Sequence, residues 1–284
     1  MPAPCTDILA PCTHKEGKVL MTTVIAIANH KGGVGKTTSA LMLAHAAVAD
    51  GRRVLVIDHD AQGGVALRIL GDRDPDGHTL ADIYARTPGV TLDRATHTTR
   101  RDGLDIVPSG RGALAAALQS LGGVAPGKVL HKALDAVRND YDLIVIDCDR
   151  GLSLGTINAL YAADRVLLVT EPENDSFNGI SDTGELVDEI NEDLRPTRPL
   201  PDPDILINLR DTTRTATHGR VATEIREWAD ASGYRVHPHD IPRRAFIAEA
   251  AANGQGLDEL KEIAAVTVRD SFHELLTTLT AERN

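Results

Sequence analysis

The eight residues Lys31-Gly32-Gly33-Val34-Gly35-Lys36-Thr37-Thr38 constrain this chain more than any other stretch, because of what flanks them. An apolar run of β-forming residues, Val24 to Ala28, precedes them, and an alanine- and leucine-rich helical stretch, Ser39 to Ala49, follows. Strand, glycine-rich turn and helix in that order make a phosphate-binding loop. Glycines let the backbone turn its N–H groups inward, and the helix presents its N-terminus and partial positive charge to an anion. Gly32, Gly33, Val34, Gly35, Lys36, Thr37 and Thr38 are the expected nucleotide cradle. Lys36 is expected on the β- and γ-phosphates and the Thr37 hydroxyl on Mg²⁺.

Lys31 opens this loop with a second cation, for which an ordinary phosphate loop has little use. The string Lys31 to Thr38 resembles the deviant Walker motif of the ParA/MinD ATPases. That resemblance implies that Lys31 reaches across a dimer to nucleotide held by the other subunit, which makes ATP a dimerisation switch.

Further matches follow in order. Val54-Leu55-Val56-Ile57 reads as a buried strand, and Asp58-His59-Asp60-Ala61-Gln62-Gly63-Gly64 resembles the family's first switch. Carboxylates at the carboxyl end of a parallel strand, beside a phosphate loop, can order metal-bound water or orient the attacking water. By position, Asp60 matches the residue associated with hydrolysis. Asp58 is a metal candidate whose alternative is a helix or turn cap. Tyr141 to Asp147 is an apolar strand ending in an acid, so Asp147 is the expected Walker B carboxylate. The family commonly continues with a proline pair, whereas this chain reads Cys148-Asp149-Arg150-Gly151. The exchange is expected to loosen the second switch. Altered hydrolysis control and a plain surface salt bridge are equally open readings of Asp149 and Arg150. The resemblance continues through Asp164 to Pro172, Ile205 to Asn208 and Ile241-Pro242-Arg243, and implies that Asn208 and Pro242 frame the adenine.

Strand runs near residues 24, 54, 104, 143, 166 and 205 alternate with helical stretches. The expected fold is therefore α/β: one doubly wound, mostly parallel sheet flanked by helices. Residues 22–284 are read as one ATPase domain, and 1–21, with Pro2, Pro4 and Pro11 and no periodicity, as a disordered extension. Met21 offers a second possible start before the first strand. Leu257, Leu260, Ile263, Val268, Phe272, Leu275 and Leu276 are spaced as a core-packed helix whose other faces are acidic, unlike a membrane-surface anchor. Three cysteines without C-x-x-C spacing argue against a disulfide framework or an iron–sulfur cluster, which places the chain in a reducing cytoplasm. His237-Pro238-His239 lacks a third ligand by spacing and is read as surface.

A formal net charge of −11 is unfavourable for a DNA binder, and 3% aromatic residues argue against stacking platforms for single strands. The basic residues from Arg195 to Arg244 are all arginine, nearly balanced by acids. They are a solvated mixed face or a DNA patch, and the resemblance favours the patch, with Arg195, Arg198, Arg214, Arg220, Arg243 and Arg244 as candidates. It implies an ATP-dependent homodimer, non-specific duplex DNA, a ParB-like partner that stimulates hydrolysis, ATP and Mg²⁺ as cofactors, and residence on the nucleoid without a membrane. Alternatives are a MinD-like or cargo-positioning ATPase that works without DNA, and a regulatory module that hydrolyses negligibly.

Overall fold

Aliphatic runs that are buried on both faces make the central strands, and their alternation divides the core in two. In a computed structural model of the chain, residues 22–281 are described apart from 74, 124, 174 and 212. The expected disordered extension, with Cys5 and Cys12, lies outside the described residues. In β1 (Thr23–Ala28), Val24, Ala26 and Ala28 face one core cluster and Ile25 and Ile27 the other. The same division runs through β2 (Val54–His59), β5 (Leu143–Cys148) and β6 (Arg165–Thr170). Side chains with a period of two and apolar residues at every position require cover on both sides.

The sheet has eight strands in the order β3-β4-β2-β5-β1-β6-β7-β8, completed by β3 (His97–Thr98), β4 (Leu104–Val107), β7 (Asp204–Ile207) and β8 (Arg235–Val236). All pairs are parallel except β3 with β4. One face is covered by α1 (Lys36–Ala49), α2 (Gly64–Leu70), α9 (Ala245–Ala252) and α10 (Ile263–Thr280). The other carries α3 (Leu80–Ala85), α4 (Gly112–Ser120), α5 (Val129–Leu134), α6 (Leu154–Ala162), α7 (Ser176–Asp193) and α8 (Thr215–Ala231). Because β5 lies between β2 and β1, the loops leaving these three strands emerge side by side at the carboxyl edge, where open α/β sheets bind ligands.

The C-terminal helix is shorter than its spacing suggests. Leu257 sits in a separate turn of 3-10 helix, Leu257–Glu259, whose Glu259 carboxylate accepts the Gly256 N–H at 2.8 Å. Arg101 pins that turn through Asp258 (2.7 Å) and Glu259 (2.9 Å). The helix restarts only at Ile263, which is 89% exposed and not on the core stripe. The two-residue strands β3 and β8 escape a sequence reading because two residues cannot show a period.

Candidate active site: the phosphate loop and its switch carboxylates

The loop between β1 and α1 is wound as a cradle. Gly33 and Gly35 take φ of 82° and 93°, and a Cβ on Gly35 would lie 2.2 Å from Asn208 Nδ2. His30 stands where the general phosphate-loop pattern has its first glycine, and its N–H donates to Thr183 Oγ1 at 3.1 Å. Lys36, buried at the start of α1, donates its ammonium to the carbonyls of Asn29 (3.1 Å) and Lys31 (3.3 Å). Asn29 in turn ties β1 to β6 through Val169 O and accepts the Lys31 N–H.

Lys31 has very different company. Its ammonium meets Asp175 at 2.6 Å, Glu171 at 3.0 Å and Glu173 at 3.6 Å. Burial pulls its pKa down, but the bonds to Asp175 and Glu171 outweigh this and leave it raised. Arg243 and Arg214 approach Glu171 and Glu173, both at 3.5 Å, so the acids after β6 gather three cations. A lone-motif reading misses this acid cluster. Its only trace in the sequence is three carboxylates at alternating positions beyond a strand.

Asp58 and Asp147 are register partners on β2 and β5, both fully buried. Asp58 Oδ2 accepts the N–H groups of Val65 (3.1 Å) and Ala66 (2.9 Å) at the start of α2, while Oδ1 meets only the Asp60 N–H at 3.4 Å. The N-terminus of α2 attracts the carboxylate, and its orphan donors occupy one of the two oxygens. Even so, burial raises the Asp58 pKa to about 7. Neither oxygen of Asp147 has a hydrogen-bond partner among the described residues. Burial, then the Asp58 charge, pushes its carboxyl up to about 8, while the Thr37 hydroxyl and Lys36 pull the other way. A buried carboxylate with two unused oxygens beside the Thr37 hydroxyl fits a divalent cation. Asp60, half-buried at the strand exit, accepts the Gln62 N–H at 2.8 Å.

Among the described residues, Asp149 and Arg150 form no salt bridge. Asp149 instead accepts the N–H of Arg150 at 2.6 Å, and the Arg150 side chain runs over Gly32. Burial and then Asp60 raise the Asp149 pKa. Cys148, the buried free thiol, is pushed up by burial and does not face solvent. His59, unread in the sequence, is buried with its Nε2 2.6 Å from the Tyr84 hydroxyl. It lines a cavity of about 260 Å³ together with Ala61, Asp149 and Ser153, which places a small hollow between the two switches.

Asn208 is buried and donates to Val34 O at 2.9 Å, so it supports the loop from behind. Pro242 bridges to Arg210 at the same edge.

The arginines do not form one surface. Arg195 must be withdrawn from the DNA set: it is buried and donates to the carbonyls of Ala163 (2.6 Å), Arg198 (3.0 Å) and Tyr161 (3.2 Å). Arg198 pairs with Asp164, which precedes β6. It therefore lies a strand length, about 20 Å, from Arg214 and Arg243 at the carboxyl edge. Arg220 pairs with Glu224 on α8, and Arg244 donates to Arg243 O.

A family model described as an AAA domain matches residues 22–198. The chain is 32% identical over 235 residues to the chromosome partitioning protein ParA of Caulobacter vibrioides, covering 82% of this chain and 85% of that protein. In fold it is similar to the ATP complex of a Cyanothece McdA variant (TM-score 0.79, 20% identity, 93% and 98% of the two chains). It is likewise similar to Mg-ADP-bound MinD of Pyrococcus horikoshii (TM-score 0.71, 23% identity, 93% and 100%). With its phosphate loop, its leading lysine and its paired strand-end acids in one crevice, the chain belongs to the ParA/MinD family of P-loop ATPases.

Proposed function

We propose that this chain is a DNA-partitioning ATPase whose ATP-bound state is a sandwich dimer that sits on DNA and leaves it on hydrolysis. The observation that carries the reading is the division of labour between two lysines of one loop. Lys36 points into the cradle, while Lys31 stands on its outer side among carboxylates that a second subunit's phosphates would displace. Similarity over most of the length of a partition protein supports the biological role.

In this reading the loop N–H groups and Lys36 bind and orient the phosphates, which removes most of the entropic part of the barrier. Thr37 and Asp147 would hold Mg²⁺, which when bound neutralises charge on the β- and γ-phosphate oxygens. Asp60, at the open end of β2, orients the attacking water. Lys31 completes the partner's site. Asn208, which supports the loop from behind, and Pro242 frame the adenine in this reading. Arg214, Arg220, Arg243 and Arg244 are the DNA candidates that remain. An acidic chain with weak patches gains affinity when dimerisation doubles its contacts. A ParB-like partner would accelerate hydrolysis.

A second reading, cargo positioning on a protein scaffold without DNA, is favoured by the pairing of most of these arginines with acids. No helix among the described residues is long and apolar enough to cross a membrane. Binding to a random-sequence duplex at fixed salt, with ATP against ADP, tests the choice. Binding with ATP alone supports partition. Absence of binding by a nucleotide-loaded dimer moves the function to a scaffold.

A further inference from the structure

The arginine of the second switch lies against the phosphate loop. A Cβ on Gly32 would lie 3.6 Å from both Cδ and Nη1 of Arg150, so the side chain lies along the first glycine of the phosphate loop. Its backbone is held on both sides: the Asp149 carboxylate accepts its N–H, and the Thr156 hydroxyl donates to Gly151 O at 2.6 Å. Gly151 takes φ of 97°, which sharpens the turn that lays the side chain over the loop. The guanidinium is exposed and forms no ion pair among the described residues. The other two cations of the loop are occupied, Lys36 by carbonyls and Lys31 by Glu171 and Asp175. Around it stand Asp149 and Asp60, whose charges would oppose a γ-phosphate, with Asp147 and Asp58 buried behind them.

We infer that Arg150 binds the γ-phosphate of nucleotide held by its own subunit, supplying in cis a charge that family members with a proline pair lack. The inference rests on the ATPase reading above. A guanidinium offers a planar fork to two phosphate oxygens, and it offsets the negative charge that Asp149 brings to the switch. In hydrolysis, the water oxygen attacks the γ-phosphorus. The bond from that phosphorus to the bridging oxygen breaks, ADP leaves with the electron pair, and the water's proton ends on phosphate or solvent. Arg150 then faces the oxygens on which charge spreads.

The test is binding of fluorescent ATPγS and ADP to dilute full-length protein, shown by sedimentation to be monomeric, for the native chain, Arg150→Ala, Arg150→Lys and Lys36→Ala. Arg150→Ala is expected to lose about tenfold in preference for ATPγS over ADP with ADP affinity unchanged. Arg150→Lys should recover part of it, and turnover at saturating ATP should fall in the same order. An unchanged preference in the monomer overturns the inference. A loss seen only at concentrations where dimers form also overturns it, since the arginine would then serve the partner's site. If Lys36→Ala binds nucleotide like the native chain, the ATPase reading itself fails, independently of Arg150.

Discussion

The centre of the sheet and its C-terminal flank treat charge in opposite ways. Around β2, β5 and β1, carboxylates are buried with their pKa raised: Asp147 has no hydrogen-bond partner among the described residues, and Asp58 and Asp149 are shifted upward by burial. From β6 to β8 the arginines are matched instead. Arg210 and Arg226 share Asp240, Arg235 holds Asp204, and Arg195 fills backbone carbonyls. A buried charge without a partner is costly unless a ligand completes it, whereas a matched pair is complete already. The contrast distinguishes a crevice whose buried carboxylates suit a cation from a region whose arginines mainly hold the fold.

The largest effect that could break this contrast is at Lys36. Lys36→Ala should lower turnover by roughly 10²–10³-fold and abolish thermal protection by ATP, with little change in the nucleotide-free melting temperature. A large loss of nucleotide-free stability would make Lys36 a structural residue like those of the flank. Next is Arg195→Ala, which should cost about 2–3 kcal/mol in denaturant unfolding by leaving three carbonyls without a donor. Duplex binding by the folded variant should stay unchanged, and weaker DNA binding at equal stability would return Arg195 to a DNA surface.

A smaller effect separates the two acids of the centre. With a folded pKa near 8 for Asp147, against an unfolded value near 3.8, the metal-free native state holds a proton that the unfolded chain has released. Stability from this group is complete below the unfolded value and is lost as pH rises through about 8. Asp147→Asn should therefore raise the metal-free melting temperature at pH 8, by on the order of 2–4 °C, more than at pH 5. Mg²⁺ should bind more tightly as pH rises across this range and release protons as it does so. Equal shifts at both pH values would show that the carboxylate is already ionised and partnered. The smallest effect belongs to Arg198→Ala, which breaks an exposed pair with Asp164 and should change stability by less than about 1 kcal/mol. Measured DNA binding should also stay put, because Arg198 lies at the far edge of the sheet. A loss of duplex affinity there would extend the DNA surface across both edges.

Much of the site is legible in the residues from 24 to 147, because each functional group there sits at a fixed step from a strand. Lys36 and Thr37 follow β1 and Asp147 ends β5, so strand assignment nearly suffices to bring them together. Asp58 shows the limit of that reasoning. Its place at the end of β2 is readable, but the helix N-terminus that engages its Oδ2 arrives seven and eight residues later, from a turn whose geometry depends on Gly63 in a left-handed conformation. The arginines fail for a different reason. A run of one residue type suggests one surface, yet Arg195 and Arg198 open the connection from α7 to β7 at one edge, while Arg214 and Arg243 precede α8 and α9 at the other.

By itself the sequence determined the phosphate loop, the alternation of buried strands with helices and the order in which the acids follow them, because periodicity and loop chemistry are local. Tertiary structure alone decided that Lys31 rests among Glu171, Glu173 and Asp175 and that Arg150 lies along Gly32. Each of these depends on contacts between segments far apart in the chain. Strand order, set by packing the whole sheet between its two helical layers, is what brings such segments within a few ångströms of one another.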